Sequence, residues 1–217
     1  MNVLELLRGG LIVSVQAEPE SLLNTPETIA LLARVAVANG ARGVRIEGCE
    51  RIAAVRAAVE VPIVGLVKRV QPGFEPYITA TLDQVRAVAA AGADVVAFDA
   101  TVRPRPDGSS ASDLAGAARA ANRLAMADCS EERDAAAVPL ADIVATTLAG
   151  YTAETASRPL PALDLVTTLR GGHAFVVCEG GIATPEHARA AFVAGASAIV
   201  VGTAITNVDA LVRRFSR

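Results

Sequence analysis

Short apolar runs rich in Val, Ile and Ala recur along the chain, each ending near a polar residue and each followed by a longer helical pattern. Leu11-Ile12-Val13-Ser14-Val15-Gln16 is the first run and Gly43-Val44-Arg45-Ile46-Glu47 the second. Ile63 to Lys68, Asp94 to Asp99, Arg123 to Asp128, Asp142 to Thr147, Ala174 to Glu179 and Ala198 to Gly202 follow in the same style. Their β-branched content and strand-like length predict buried strands. Between them, Thr25-Pro26-Glu27, Thr81-Leu82-Asp83 and Thr184-Pro185-Glu186 each supply a cap and an early acid for a helix. Helices are expected from Pro26 to Ala38, Glu50 to Val59, Leu82 to Gly92, Ser112 to Ala121, from Ser130 onward, and from Leu163 to Leu169. Another starts at Thr184, and a last helix runs to Phe215. Val3 to Arg8 reads as a short N-terminal helix closed by Gly9-Gly10.

Strand–helix units repeated eight times predict an α/β fold with a parallel sheet, and eight strands close a barrel. The expectation is a single (β/α)8 TIM barrel domain spanning residues 1–217, with a doubly wound open sheet as the competing topology. No composition shift divides the chain.

In such a barrel, chemistry belongs to the C-terminal ends of the strands and the loops after them. Gln16 ends the first strand, Arg45 and Glu47 the second, Lys68 the third and Asp99 the fourth. Asp128 ends the fifth, Thr146 and Thr147 the sixth, and Glu179 the seventh. Asp99 and Asp128 could equally cap the turns that follow, and Glu179 could simply pair with Arg45. Lys68 stands out because it is the only lysine beside 19 arginines. A crowded lysine can shed its proton near neutral pH and an arginine cannot, so a sole lysine at a strand end is a candidate base or Schiff-base nucleophile. Strands three and seven lie opposite in a ring of eight. Lys68 and Glu179 would then approach a ligand from two faces, which suits inversion of a carbon acid. Glycine turns after the last two strands, Gly180-Gly181 and Gly202-Thr203, suit an anion held by backbone N–H groups.

Composition removes several alternatives. The chain is 52% hydrophobic but only 3% aromatic, so Ala, Val, Leu and Ile must build the core. A net charge of −3 with both signs interspersed, and few aromatics for stacking, argues against nucleic acid. No run is long enough for a membrane span. Met1 leads into Asn2-Val3-Leu4-Glu5, not a basic region before an apolar one, so a cytoplasmic protein is expected. Cys49, Cys129 and Cys178 share no metal-site spacing and read as free thiols, with Cys178 on the face opposite Glu179 and therefore packing. Two histidines, His173 and His187, leave little for a triad or zinc site. Neither a metal nor a cofactor is expected. A homodimer is compatible with the exposed apolar helix faces.

Several segments are similar to the N-acetylmannosamine-6-phosphate 2-epimerase family. They are Gly9 to Ser14 with Gln16, Val44 to Gly48, Pro62 to Arg69 and Tyr77-Ile78-Thr79. Asp99-Ala100-Thr101 with Arg103 to Pro106 and Met126 to Ser130 continue the series. So do Thr146-Thr147-Leu148 with Gly150-Tyr151-Thr152, and Val201-Gly202 with Ala204-Ile205-Thr206. The resemblance covers nearly the whole chain. It implies a (β/α)8 barrel that interconverts N-acetylmannosamine 6-phosphate and N-acetylglucosamine 6-phosphate without a cofactor, in sialic acid breakdown. It places the catalytic lysine on Lys68, the catalytic glutamate on Glu179 and substrate contacts on Gln16, Arg45 and Asp128, with Thr147 and Tyr151 beside them. The phosphate falls to Gly180, Gly181, Gly202, Thr203 and Asn207.

The chain departs from the family pattern at four places. Gly181 stands for a basic residue, Asn207 for an arginine, Val15 for a cysteine and Val102 for an acid. Two positive charges are thereby lost at the phosphate corner, and three other readings stay open. One is a 2-epimerase for the unphosphorylated sugar, the second a Schiff-base aldolase using Lys68, and the third a non-catalytic sugar-phosphate-binding homologue.

Overall fold

The computed structural model describes residues 2–216. Eight parallel strands, β1 (Leu11–Val15), β2 (Gly43–Glu47), β3 (Ile63–Leu66), β4 (Val95–Asp99), β5 (Leu124–Asp128), β6 (Ile143–Ala145), β7 (Val176–Glu179) and β8 (Ala198–Val201), close into a barrel in sequence order. β8 pairs back onto β1 through Val13 and Val201, so the sheet has no free edge. The open doubly wound sheet is thereby excluded.

Period-two alternation sorts every strand into two faces. The outward side chains, Val44 and Ile46 of β2 or Val96 and Phe98 of β4 among them, pack against the surrounding helices. The inward ones fill the barrel: Ile12, Val64, Leu66, Val95, Ala97, Met126, Ile143, Ala145, Val177 and Val200. The short helix α1 (Val3–Leu7) plugs the lower end, where Leu7 is fully buried in that inner cluster and Arg8 lies 5.1 Å over the ring of Phe175. Gly65 faces outward on β3, and a Cβ there would lie 2.6 Å from Ala93 and 2.9 Å from Val88. The missing side chain lets the helix layer sit close to the sheet.

The helices begin where the punctuation predicts. In α2 (Pro26–Ala38), α4 (Leu82–Ala90) and α8 (Pro185–Val193), Thr25, Thr81 and Thr184 accept hydrogen bonds from backbone N–H groups of the first turn. α5 (Ala111–Ala120) has a reciprocal capping box between Ser110 and Asp113. α3 (Cys49–Arg56), α6 (Glu132–Ala136) and α7 (Leu163–Arg170) complete the ring. Several boundaries are shorter than expected, α3 ending at Arg56 and β6 at Ala145, and two differences bear on the site. β3 stops at Leu66, and beyond it Lys68 forms an isolated antiparallel bridge with Ile78. The expected last helix is two, α9 (Thr203–Thr206) and α10 (Val208–Phe215), parted at Asn207, whose side chain accepts from Ala210 N and caps the second. No helix among the described residues is long and apolar enough to cross a membrane.

Candidate active site

The same alternation that fills the barrel with aliphatic side chains places polar ones at its upper rim. Arg45 follows Gly43 on the inner face of β2, Asp99 follows Ala97, Asp128 follows Met126, and Glu179 follows Val177. Lys68 continues the inward series of Val64 and Leu66, and Thr147 that of Ile143 and Ala145. β3 and β7 are four strands apart in the ring, so Lys68 and Glu179 do come from opposite walls.

Arg45 is the centre of this layer. Its side chain is 2% exposed and spans the barrel to Asp128, with Nη2 2.6 Å from Oδ2 and Nη1 3.2 Å from Oδ1. Nη1 also lies 3.1 Å from Glu179 Oε2. Burial opposes the charge on Arg45, but Asp128 and then Glu179 outweigh it, and the guanidinium is held more firmly protonated than in water. Asp128 therefore ends as an ion-pair partner and caps no turn. Asp99 does cap one: Oδ1 accepts from the N–H and hydroxyl of Thr101, while Oδ2 receives Arg103 at 2.9 Å. Arg105 donates to the Asp99 and Thr101 carbonyls from the other side.

Glu179 pairs with Arg45, the alternative raised by sequence, and does more. Thr147 Oγ1 lies 3.0 Å from its Oε2 and 2.8 Å from Asp128 Oδ1. Its side chain is only 13% exposed, and loss of water pushes its carboxyl above the usual carboxylate range against the pull of Arg45. Thr146 fixes the backbone beneath, its hydroxyl donating to Glu179 O and accepting from Glu179 N.

Lys68 is held by its backbone. The neighbouring pairs Arg69 N to Tyr77 O and Thr79 N to Val67 O form a short ladder, and Lys68 N reaches Glu47 Oε1 at 3.3 Å. Thr79, buried at φ 42°, adopts a backbone conformation rare for a branched residue, and its hydroxyl accepts from Val67 N–H. Solvent still reaches Lys68 in the concave mouth, yet protein crowded around it, and then Arg45, push its ammonium below the ordinary lysine range; Glu179, Glu47 and Asp128 pull the other way. Lys68 makes no ion pair within 4.0 Å among the described residues, so direct pairing with Glu179 does not set either proton.

Gln16 donates to Ser14 Oγ, and its Oε1 is buried with no hydrogen-bond partner. Tyr151 is 58% exposed and leans over Gly180, where an added Cβ would lie 3.7 Å from its ring. Gly180 and Gly181 both have positive φ. Gly181 is closed to substitution, because a Cβ would fall 2.4 Å from Leu160 Cβ and 3.1 Å from its carbonyl carbon. Gly202 packs on Ser14, Thr203 is exposed at the start of α9, and Thr206 donates to Ser14 O. Asn207 is already engaged, its Oδ1 by Ala210 N at 2.9 Å and its Nδ2 towards Glu18 at 3.5 Å; Glu18 also pairs with Arg213. The sequence placed Asp99 on this rim but gave no role to Tyr77 or to Arg103 and Arg105, which knot around Asp99. The Tyr77 hydroxyl is raised by burial and then by Asp128 and Asp99.

The thiols stand aside. Cys129 and Cys178 are buried in the outer core, and burial pushes Cys178 up to about 11. Among the described residues no cluster of His, Cys, Asp and Glu is placed to hold a metal ion.

Known proteins share both the sequence and this architecture. The family model NanE, described as "Putative N-acetylmannosamine-6-phosphate epimerase", matches residues 29–217. A protein of that description from Synechococcus elongatus is 45% identical over 220 residues, covering 98% of this chain and 94% of its own. Another from Yersinia pestis is 44% identical over 210 residues, covering 96% and 89%. The solved N-acetylmannosamine-6-phosphate 2-epimerase from Clostridium perfringens superposes with a TM-score of 0.95 at 35% identity, over 100% of this chain and 96% of that one.

Proposed function

This chain belongs to the N-acetylmannosamine-6-phosphate epimerase family, and we propose that it interconverts N-acetylmannosamine 6-phosphate and N-acetylglucosamine 6-phosphate by moving a proton at C2. The observation that carries the reading is the opposed placement of Lys68 and Glu179 around the Arg45–Asp128 pair.

In the open-chain sugar, C2 is α to the C1 aldehyde, and loss of its proton gives an enolate. Lys68, lowered towards neutrality, takes the proton from one face. Glu179, raised by burial, returns one to the other face. The C2–H electron pair passes into the enolate and comes back to bond the new proton, so the sugar returns to the aldehyde with C2 inverted and no redox change. Arg45 and Asp128 keep the electrostatic floor of the site fixed. The free Oε1 of Gln16 is an acceptor for a substrate N–H or hydroxyl, and Tyr151 and Thr147 border the same space. Gly180, Gly202 and Thr203 offer backbone N–H groups to the phosphate; Asn207 contributes only if it leaves its cap. The chain acts as one domain in the cytoplasm, without a cofactor. It pairs as a homodimer, for which the exposed Val208, Val212 and Phe215 of α10 are the suitable face.

Proton NMR in D₂O tests the reaction. Purified protein is given N-acetylmannosamine 6-phosphate and, in parallel, the unphosphorylated sugar. The expected result is the gluco epimer with deuterium at C2, faster from the phosphorylated sugar and absent in Lys68→Ala. No exchange and no conversion of either sugar would overturn the assignment.

A further inference from the structure

The triangle formed by Thr147, Asp128 and Glu179 contains more acceptors than donors. A threonine hydroxyl has one proton to give and lone pairs to receive others. Here it stands 2.8 Å from Asp128 Oδ1 and 3.0 Å from Glu179 Oε2, and if both carboxylates were ionised one of these contacts would join two acceptors. Asp128 holds a two-pronged, charge-assisted contact with Arg45. The proton of Thr147 belongs on its shorter contact, the one to Asp128. The other contact then needs an O–H on Glu179. Arg45 does not relieve the deficit: its Nη1 is close to Glu179 Oε2, but its hydrogen bonds go to Asp128 and the Met126 sulfur.

We propose that Thr147 is a positioning residue that keeps Glu179 protonated in the free protein, accepting the Glu179 proton while donating its own to Asp128. The proposal rests on the epimerase reading only for its consequence, that the acid which reprotonates C2 is loaded before substrate arrives. Turnover beginning with C2 proton removal by Lys68 then meets a Glu179 that has a proton to give. Turnover in the other direction must first lose that proton to solvent. The charged groups facing Glu179 are Arg45 on β2, Lys68 after β3 and Asp128 on β5; β8 presents Val200 beside it and β1 ends at the neutral Gln16. Burial and then the Asp128 charge favour the same protonated form, whereas Arg45 and Lys68 oppose it, and a Thr147 hydroxyl that donated to Glu179 would oppose it too.

The test is the sign of one shift. The carboxyl band of Glu179, identified by its disappearance in Glu179→Gln, is followed by infrared difference spectroscopy against pH in the wild type, Thr147→Val and Thr147→Ser. Loss of an acceptor for the acid proton lowers the midpoint by about 1 pH unit in Thr147→Val, and Thr147→Ser keeps the wild-type value. An unchanged or raised midpoint would overturn the proposal, since it would mean that Thr147 donates to Glu179 or does not touch its proton. Should Thr147→Val fail to fold, Thr147→Ala reads the same midpoint. The upper pH limit of kcat/KM for the direction begun by Lys68 moves down by the same amount. If the wild type neither epimerises nor exchanges C2 hydrogen, the functional reading fails, while the spectroscopic midpoint still decides the role of Thr147.

Discussion

Arg45 and Asp128, 83 residues apart in sequence, meet through two hydrogen bonds in a barrel mouth that leaves them 2% and 0% exposed. Water cannot replace either partner. Asp128→Ala leaves a buried guanidinium beside Glu179 alone and is expected to cost about 3–5 kcal/mol in urea unfolding, with activity lost as well. Removing both charges together, Arg45→Met with Asp128→Leu, should restore most of that stability and none of the activity.

In the proposed mechanism the Lys68 side chain acts as a neutral amine, so a permanently charged replacement does not substitute. Lys68→Arg and Lys68→Ala are both expected to lower the C2 exchange rate by at least about 10²-fold. In the wild type the amine's share of activity rises with pH through a midpoint below the ordinary lysine range, because crowding and Arg45 lower it. Exchange rates measured across a pH series check both statements.

Glu179 has a stability consequence of opposite sense to most carboxylates. Its native pKa is raised, so between the unfolded and native values the folded protein binds more protons than the unfolded chain. Stability therefore falls as pH rises through that window. Glu179→Gln removes the loss, and its unfolding midpoint in urea should exceed that of the wild type at neutral pH and match it in acid. The variant is expected to be inactive, a trade of function for stability.

The proposed phosphate corner can be recharged at one position and not at the other. At Gly181 an added side chain meets both the Cβ and the backbone of Leu160, so Gly181→Arg should lower the melting temperature and expression without improving catalysis. Asn207→Arg removes a cap from α10, a loss of about 1 kcal/mol, but adds a cation at the end of α9, the helix that begins at Gly202 and Thr203. It is expected to lower KM for the phosphorylated sugar only, and to do so less at high salt. Steady-state kinetics on both sugars at two salt concentrations separate these effects.

Much of this was legible in the chain because the fold writes itself locally. Runs such as Val95 to Asp99 alternate outward and inward positions, and the polar residue that closes each run lands on the inner rim once the barrel shuts. Lys68 and Glu179 could be placed opposite each other from strand order alone. Contacts across the barrel could not. Whether Asp128 meets Arg45 or caps a turn depends on side-chain reach across the ring, and Asp99, its direct neighbour in register, took the other course. Thr147 touches two carboxylates only because β5, β6 and β7 are closely staggered, which no local pattern records. The break at Asn207 was readable in principle, since asparagine is a favoured cap, but the apolar periodicity runs straight through it.

A chain with 19 arginines and one lysine carries a single side-chain amine, and that amine lines the barrel mouth. Amine-directed chemistry that is harmless to most proteins becomes active-site chemistry in this one. Cyanate from aged urea, aldehyde fixatives, acyl donors and resin coupling through lysine all have one internal target here. Each converts or ties up Lys68 while the fold, closed by strands and arginine contacts, stays intact. A preparation handled this way would look folded, monodisperse and pure, and, with Lys68 as the proposed base, would be dead.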